Sequence, residues 1–212
     1  MDLTLAGLSW ATVAGFALTS ALIEVTPGPN MVYLALVAAT DGRKPGYAAV
    51  AGVALGLTIL GVLAAFGLAA MIDTSPWLYA TVRWGGVAYL LWLAWDSWRA
   101  AGDAVEHAAL GSSLSRYFGR GLITNLLNPK AALFYIAVLP GFLTGTTGAL
   151  AQTLWLSLIY VVIATFIHAA IVTLAGTAQT ALANEKRSQM VRRLLAVALA
   201  LVALWFAWKT AA

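Results

Sequence analysis

The sequence predicts an all-α integral membrane protein with six transmembrane helices. They form two inverted three-helix repeats, with helices 1 and 4 broken at proline. Three observations carry the prediction. Apolar residues make up 62% of the 212-residue chain and charged residues only 9%, against about 25% charged in an average soluble domain; mean hydropathy is +0.87. Most of the apolar residues fall in stretches near or above the ~20 residues a helix needs to cross a bilayer. Prolines interrupt two of those stretches at matching places.

The first stretch runs from about Leu8 to Ala39, interrupted at Pro27-Gly28-Pro29-Asn30. Its leading residues, Met-Asp-Leu-Thr-Leu, lack the basic n-region of a cleaved signal, so this segment is expected to be retained. The second runs from about Tyr47 to Ile72 and the third from about Trp77 to Trp95. A polar linker at about 96–117 follows, with Asp96, Asp103, Glu106 and His107 expected on a solvated face. The fourth stretch runs from about Phe118 to Leu143, broken at Asn128-Pro129-Lys130. The fifth runs from about Ala149 to Leu182, and the sixth from about Leu194 to Trp208. Barrel strands would instead alternate apolar and polar over about ten residues. The whole chain then reads as one transmembrane domain: repeat 1 at about 1–100 and repeat 2 at about 118–212.

Charge sets the expected orientation. Arg43 and Lys44, then Arg99, Arg116 and Arg120, then Lys186, Arg187, Arg192 and Arg193 fall in alternate loops on one side; Arg83 and Lys209 fall on the other. Basic loops stay cytoplasmic, so both termini are expected outside. The formal net charge of +4 is explained by this bias rather than by nucleic acid. Trp10, Trp77, Trp155, Trp205 and Trp208 fit an outer interfacial belt, and Trp95 and Trp98 an inner one. Cysteine is absent, which excludes disulfides, thiolate metal sites and redox dithiols. Gly52 and Gly56, continued by Gly61 and Gly67, form a small-residue stripe expected to pack against another helix.

Phe16 and Phe118, Pro27 and Pro129, and Gly46 and Gly148 each lie 102 residues apart, and the two glycines are each expected to open the next helix. A three-helix unit ends on the face opposite its start, so a second copy is inserted upside down. That is the inverted repeat of secondary transporters, whose broken helices bind substrate near the midplane.

Thr26-Pro27-Gly28-Pro29-Asn30, Trp84-Gly85-Gly86-Val87-Ala88-Tyr89-Leu90 with Trp92-Leu93, and Asn125-Leu126-Leu127-Asn128-Pro129-Lys130 resemble the LysE/RhtB family of amino-acid exporters. The resemblance spans nearly the whole chain. It implies a six-helix inner-membrane exporter of amino acids or related metabolites, driven by the proton gradient and oligomeric, a homodimer being the simplest case.

Polar residues inside the apolar runs mark the expected site. A charge at the bilayer centre costs about 2.5–3.5 kcal/mol on insertion scales, so Glu24 and Lys130 need a reason to be there. Glu24 is expected to carry the coupling proton or bind an ammonium, or else to pair with Lys130. Lys130 is expected to hold a substrate carboxylate, pair with Glu24, or reach along the helix toward water. Asn30, Asn125 and Asn128 can satisfy backbone groups that Pro27, Pro29 and Pro129 leave unpaired, or contact substrate beside Gly28. His168 is either a proton relay or a hydrogen-bonded packing residue, and Gln152 and Thr165 are candidates to line a cavity. No metal cluster, cofactor motif or nucleophile–base pair has convincing spacing, so neither a cofactor nor an enzyme is expected. A transporter of another solute, an intramembrane enzyme and a structural subunit are the competing readings; the paucity of acidic, Cys and His residues weighs against divalent metals.

Overall fold

The computed structural model describes residues 6–26, 28–67, 76–100, 113–144, 148–181 and 185–209. Within them every element is a helix. In chain order these are α1 (Trp10–Val25), α2 (Pro29–Thr40), α3 (Arg43–Ala65), α4 (Pro76–Ala100), α5 (Leu114–Leu126), α6 (Pro129–Leu133), α7 (Ala149–Ala181) and α8 (Glu185–Lys209). A wide π turn over Phe134–Val138 and a tight 3-10 turn over Leu139–Phe142 continue α6. Pro140 explains that change of pitch. It has no N–H for the carbonyl one turn earlier and its ring crowds that turn, and the pitch changes from wide to tight where it enters.

Helices Arg43–Ala65 and Ala149–Thr177 are each long and apolar enough to cross a membrane. Trp10–Val25 with Pro29–Thr40, and Leu114–Leu126 with Lys130–Phe142, qualify as bent pairs, at 59° and 51°. By length and composition the described residues thus hold two spans, or four if each bent pair is one. The chain is a multi-pass membrane protein. Trp10, Trp77, Trp95, Trp98, Trp155 and Trp208 are all exposed, as interfacial anchors need to be; the Trp205 side chain lies outside the described residues.

Helix α3 is the hub, lying against α5 and α7, while α8 covers α4 and α2. The glycine stripe makes this possible. A Cβ on Gly52 would collide with the Phe118 carbonyl oxygen, and one on Gly121 of α5 with the Ala49 carbonyl oxygen. The two helices therefore cross backbone to backbone. Gly56 lies against Asn125 and Gly61 against Ser157. Gly67 does not belong to the stripe: nothing lies within 4 Å of its would-be Cβ, and its φ of +84° makes it a left-handed turn after α3.

Two apolar clusters form the interior. One gathers Tyr33, Leu34 and Val37 with Ala49, Leu90, Leu93, Val172 and Leu199. The other gathers Phe16, Val53, Leu57, Phe134, Tyr135, Leu156 and Tyr160. Most buried polar residues fall between the clusters along each element: Ser20, Glu24 and Asn30 between Phe16 and Tyr33; Thr124, Asn125 and Asn128 between Tyr117 and Ala131; His168 between Ala164 and Val172, while Gln152, Thr153 and Ser157 of α7 fall outside that interval. The molecule thus carries a polar layer inside an apolar body.

Three sequence expectations are corrected. Gly148 precedes α7, with φ +81°, but Gly46 is four residues into α3, packed against Val172; Gly42, with φ +100°, is the N-cap of α3. Pro29 and Pro129 both take the first position of a half-helix, so Pro29 is the structural counterpart of Pro129; Pro27 lies outside the described residues. Asp96 is not on a solvated loop. It lies within α4, which continues to Ala100, and pairs with Arg120 of α5 at 2.7 Å, joining the two elements; Asp103, Glu106 and His107 lie outside the described residues.

Candidate functional site

The site is built on the two breaks. Thr26 closes α1: its N–H donates to the Ile23 carbonyl and its hydroxyl to the Leu22 carbonyl. Its ψ of 126° turns the chain out of the helix, as a residue before proline favours. Gly28 then starts α2 in an extended conformation with no side-chain cap, and Pro29 follows. The second break restarts the same way but caps itself. Asn128 Oδ1 accepts the Lys130 N–H at 3.0 Å, with Pro129 at the first helical position. Proline suits that position because its missing N–H would be unpaired anyway.

Glu24 sits in the last turn of α1 and is 3% exposed. Its carboxylate is held by α7 through both oxygens. Oε1 lies 2.8 Å from His168 Nε2, and Oε2 accepts from the Tyr160 hydroxyl at 3.0 Å. The histidine contact is a close approach off the line of a ring N–H. Neither His168 nitrogen has a hydrogen bond among the described residues. The carboxylate and the imidazole are thus in contact, shut away from solvent. Tyr160 was not legible as a site residue, because nothing distinguishes this phenol in an apolar run from the other tyrosines.

Lys130 does not pair with the Glu24 carboxylate. Its Nζ donates to the Thr26 carbonyl at 2.7 Å and reaches the Glu24 carbonyl at 3.4 Å. The ammonium therefore caps the carbonyl end of α1, where the helix dipole is negative. Its stem lies along Gly28, where a Cβ would be 3.3 Å from Lys130 Cδ. Asn30 and Asn125 join the two broken helices directly: Asn30 Nδ2 donates to Asn125 Oδ1 at 2.9 Å, with both side chains buried. Asn30 Oδ1 and Asn125 Nδ2 have no partner among the described residues, so the pair keeps one acceptor and one donor in reserve.

The structure thus brings together Glu24, His168, Gly28, Pro29, Asn30, Asn125, Asn128, Pro129 and Lys130 around the breaks. Gln152 and Thr165 stand apart. Gln152 bridges to the backbone of Thr144 at both its N–H and its carbonyl, and the Thr165 hydroxyl bonds the Val161 carbonyl one turn back. No group of three or more metal-ligating side chains occurs among the described residues.

Comparison with known proteins adds a second line. A family model described as LysE type translocator matches residues 21–210. The chain is 34% identical over 161 residues to a homoserine/homoserine lactone efflux protein of Salmonella typhimurium, covering 76% of this chain and 78% of that one. It is 36% identical to a leucine efflux protein of Enterobacter sp., over 63% of each chain. It is 30% identical to a threonine efflux protein of Salmonella typhi, over 60% of this chain and 65% of that one. No solved structure matches.

Proposed function

The chain belongs to the LysE type translocator family, and from that premise we propose that it exports neutral amino acids or close relatives across the inner membrane in exchange for protons. The observation that carries the reading is the buried Glu24–His168 contact in the last turn before a helix break. A titratable pair at membrane depth is expensive, and within membranes such pairs mark ion and proton pathways. Homoserine, leucine and threonine in the relatives' names are zwitterions with uncharged side chains, and the homoserine lactone of the first name is an amine without a carboxylate.

The proposed architecture is six membrane crossings as two inverted repeats, 1–100 and 118–212, joined by a cytoplasmic linker. Both termini lie outside, and the working unit is a homodimer in the bilayer. Substrate binds between the broken helices. Its carboxylate competes with the α1 carbonyls for the Lys130 ammonium and faces the positive start of α6, while its ammonium turns toward the carbonyl end of α1. Gly28, Pro29, Asn30, Asn125, Asn128 and Pro129 form the polar wall, continued by Pro27. A proton arriving from outside is taken by Glu24 and His168, substrate leaves outward, and the halves rock back to release the proton inside. Lys130 near the head group also disfavours lysine-like substrates.

Proteoliposomes with an imposed pH gradient and a panel of homoserine, threonine, leucine and lysine test this reading. Gradient-driven efflux of the neutral three is expected to exceed that of lysine, and Glu24→Gln is expected to reduce gradient-driven efflux far more than substrate counterflow. Wild-type efflux indifferent to the gradient, or Glu24→Gln transporting like wild type under it, overturns the proton-coupled reading.

A further inference from the structure

We infer that Tyr160 is the positioning residue that links the proton site in the first broken helix to the shape of the second. The inference rests on the antiport reading above and adds a residue and a route to it.

Tyr160 touches both broken helices at once. Its hydroxyl donates to Glu24 Oε2 at 3.0 Å. Its ring stacks on Phe134, centroids 3.7 Å apart and planes 16° from parallel, and meets Tyr135 edge-on at 5.6 Å. Phe134 and Tyr135 open the π turn that carries α6 into the tight turn at Leu139–Phe142. Phe16 of α1 closes the cluster against Phe134 and Phe142, at 5.6 and 5.2 Å. The π turn is the irregular stretch of the second broken helix, with a widened bond from the Leu139 N–H to the Phe134 carbonyl. Tyr160 is 1% exposed, so the ring cannot swing away without disturbing the stack.

The consequence is mechanical. An ionised Glu24 accepts strongly from the phenol, since hydrogen bonds to charged groups are the strong ones. A protonated Glu24 accepts weakly, and the ring is then free to tilt. Any tilt is felt first at the face of Phe134. The charged and titratable groups facing Glu24 are His168 and Tyr160 on α7, Tyr135 in the π turn with its hydroxyl on the Leu57 carbonyl, and Lys130, which binds the Glu24 carbonyl rather than the carboxylate. Among them only Tyr160 touches both the carboxylate and the π turn's rings.

The readout is the ratio of gradient-driven efflux to counterflow for the best substrate of the panel, in proteoliposomes of the full chain. Tyr160→Phe keeps the stack and loses the hydroxyl, and the ratio should fall about tenfold, as expected for one hydrogen bond to a charged group. Phe134→Leu keeps the hydroxyl and loses the stack; the ratio should fall similarly, while proton uptake on substrate release, followed with a pH dye, persists. Either variant keeping the wild-type ratio overturns the inference, whether its rates are normal or both equally lowered, because a merely structural residue lowers both. Such a result leaves antiport standing if Glu24→Gln still loses gradient-driven efflux. If Glu24→Gln does not, the antiport reading fails, and this inference with it.

Discussion

The two breaks restart a helix with the same device and differ in how their ends are satisfied. At each, proline occupies the first position of the new half-helix and the preceding residue's carbonyl accepts the first intrahelical N–H, from Val32 at the first break and Ala132 at the second. Asn128 then caps its own helix with its side chain. Gly28 has no side chain to cap with. The first break is completed from elsewhere: Lys130 covers the end of α1, α7 holds Glu24, and Asn125 holds Asn30. The second break caps itself, whereas the polar groups of the first are held by several separate elements.

Substitutions can break or sharpen that contrast. The largest effect is expected at the crossing that carries the second break. Gly121→Ala puts a methyl group against the Ala49 carbonyl, backbone to backbone, and overpacking of that kind costs about 3 kcal/mol. Unfolding in mixed micelles should show it, with efflux lost because Asn125 moves with α5. Near-normal stability would mean the helices separate easily and the close crossing is not needed. Lys130→Met is next. It keeps the stem over Gly28 and removes the charge from the α1 carbonyls, a loss of about 2 kcal/mol for hydrogen bonds from a charged donor. The damage should appear at the first break although the residue belongs to the second; hydrogen exchange should rise in the last turn of α1 more than in α6. The smallest pair is the sharpest comparison. Asn128→Ala should cost about 1 kcal/mol as a lost N-cap. Gly28→Ala should change stability by less than about 0.5 kcal/mol, because its φ of −157° is open to any residue and the Lys130 stem can yield. A larger loss at Gly28 than at Asn128 would reverse the assignment of roles.

Much of this was legible in the sequence because it depends on local chemistry. Proline inside an apolar run announces a break wherever it occurs, and the breaks at Pro29 and Pro129 are where the pattern puts them. A small-residue stripe announces a close helix crossing, and Gly52, Gly56 and Gly61 serve that purpose. Glu24 and Lys130 stood out as costly at depth, and His168 as a histidine well inside an apolar run. What the sequence did not reveal is pairing. Glu24 had Lys130 as its obvious partner by charge, yet it meets His168 and Tyr160, 136 residues further on in the case of Tyr160, because α1 lies along α7 and the ammonium is drawn to the exposed carbonyls of a helix end. The offset of 102 likewise matched identities rather than geometry: it paired Pro27 with Pro129 where the half-helices pair Pro29. Asp96 read as part of a polar linker because hydropathy cannot see that α4 runs on to Ala100 and meets Arg120.

The dependence of the first break on the rest of the chain has a consequence for how the protein is made. Asn125, Lys130, Tyr160 and His168 all lie later in the sequence than Glu24 and Asn30. When the ribosome has delivered only the first hundred residues, Glu24 has no partner for its carboxylate and α1 ends in uncovered carbonyls. The first break is therefore completed only once α5 to α7 have been made and have closed around it.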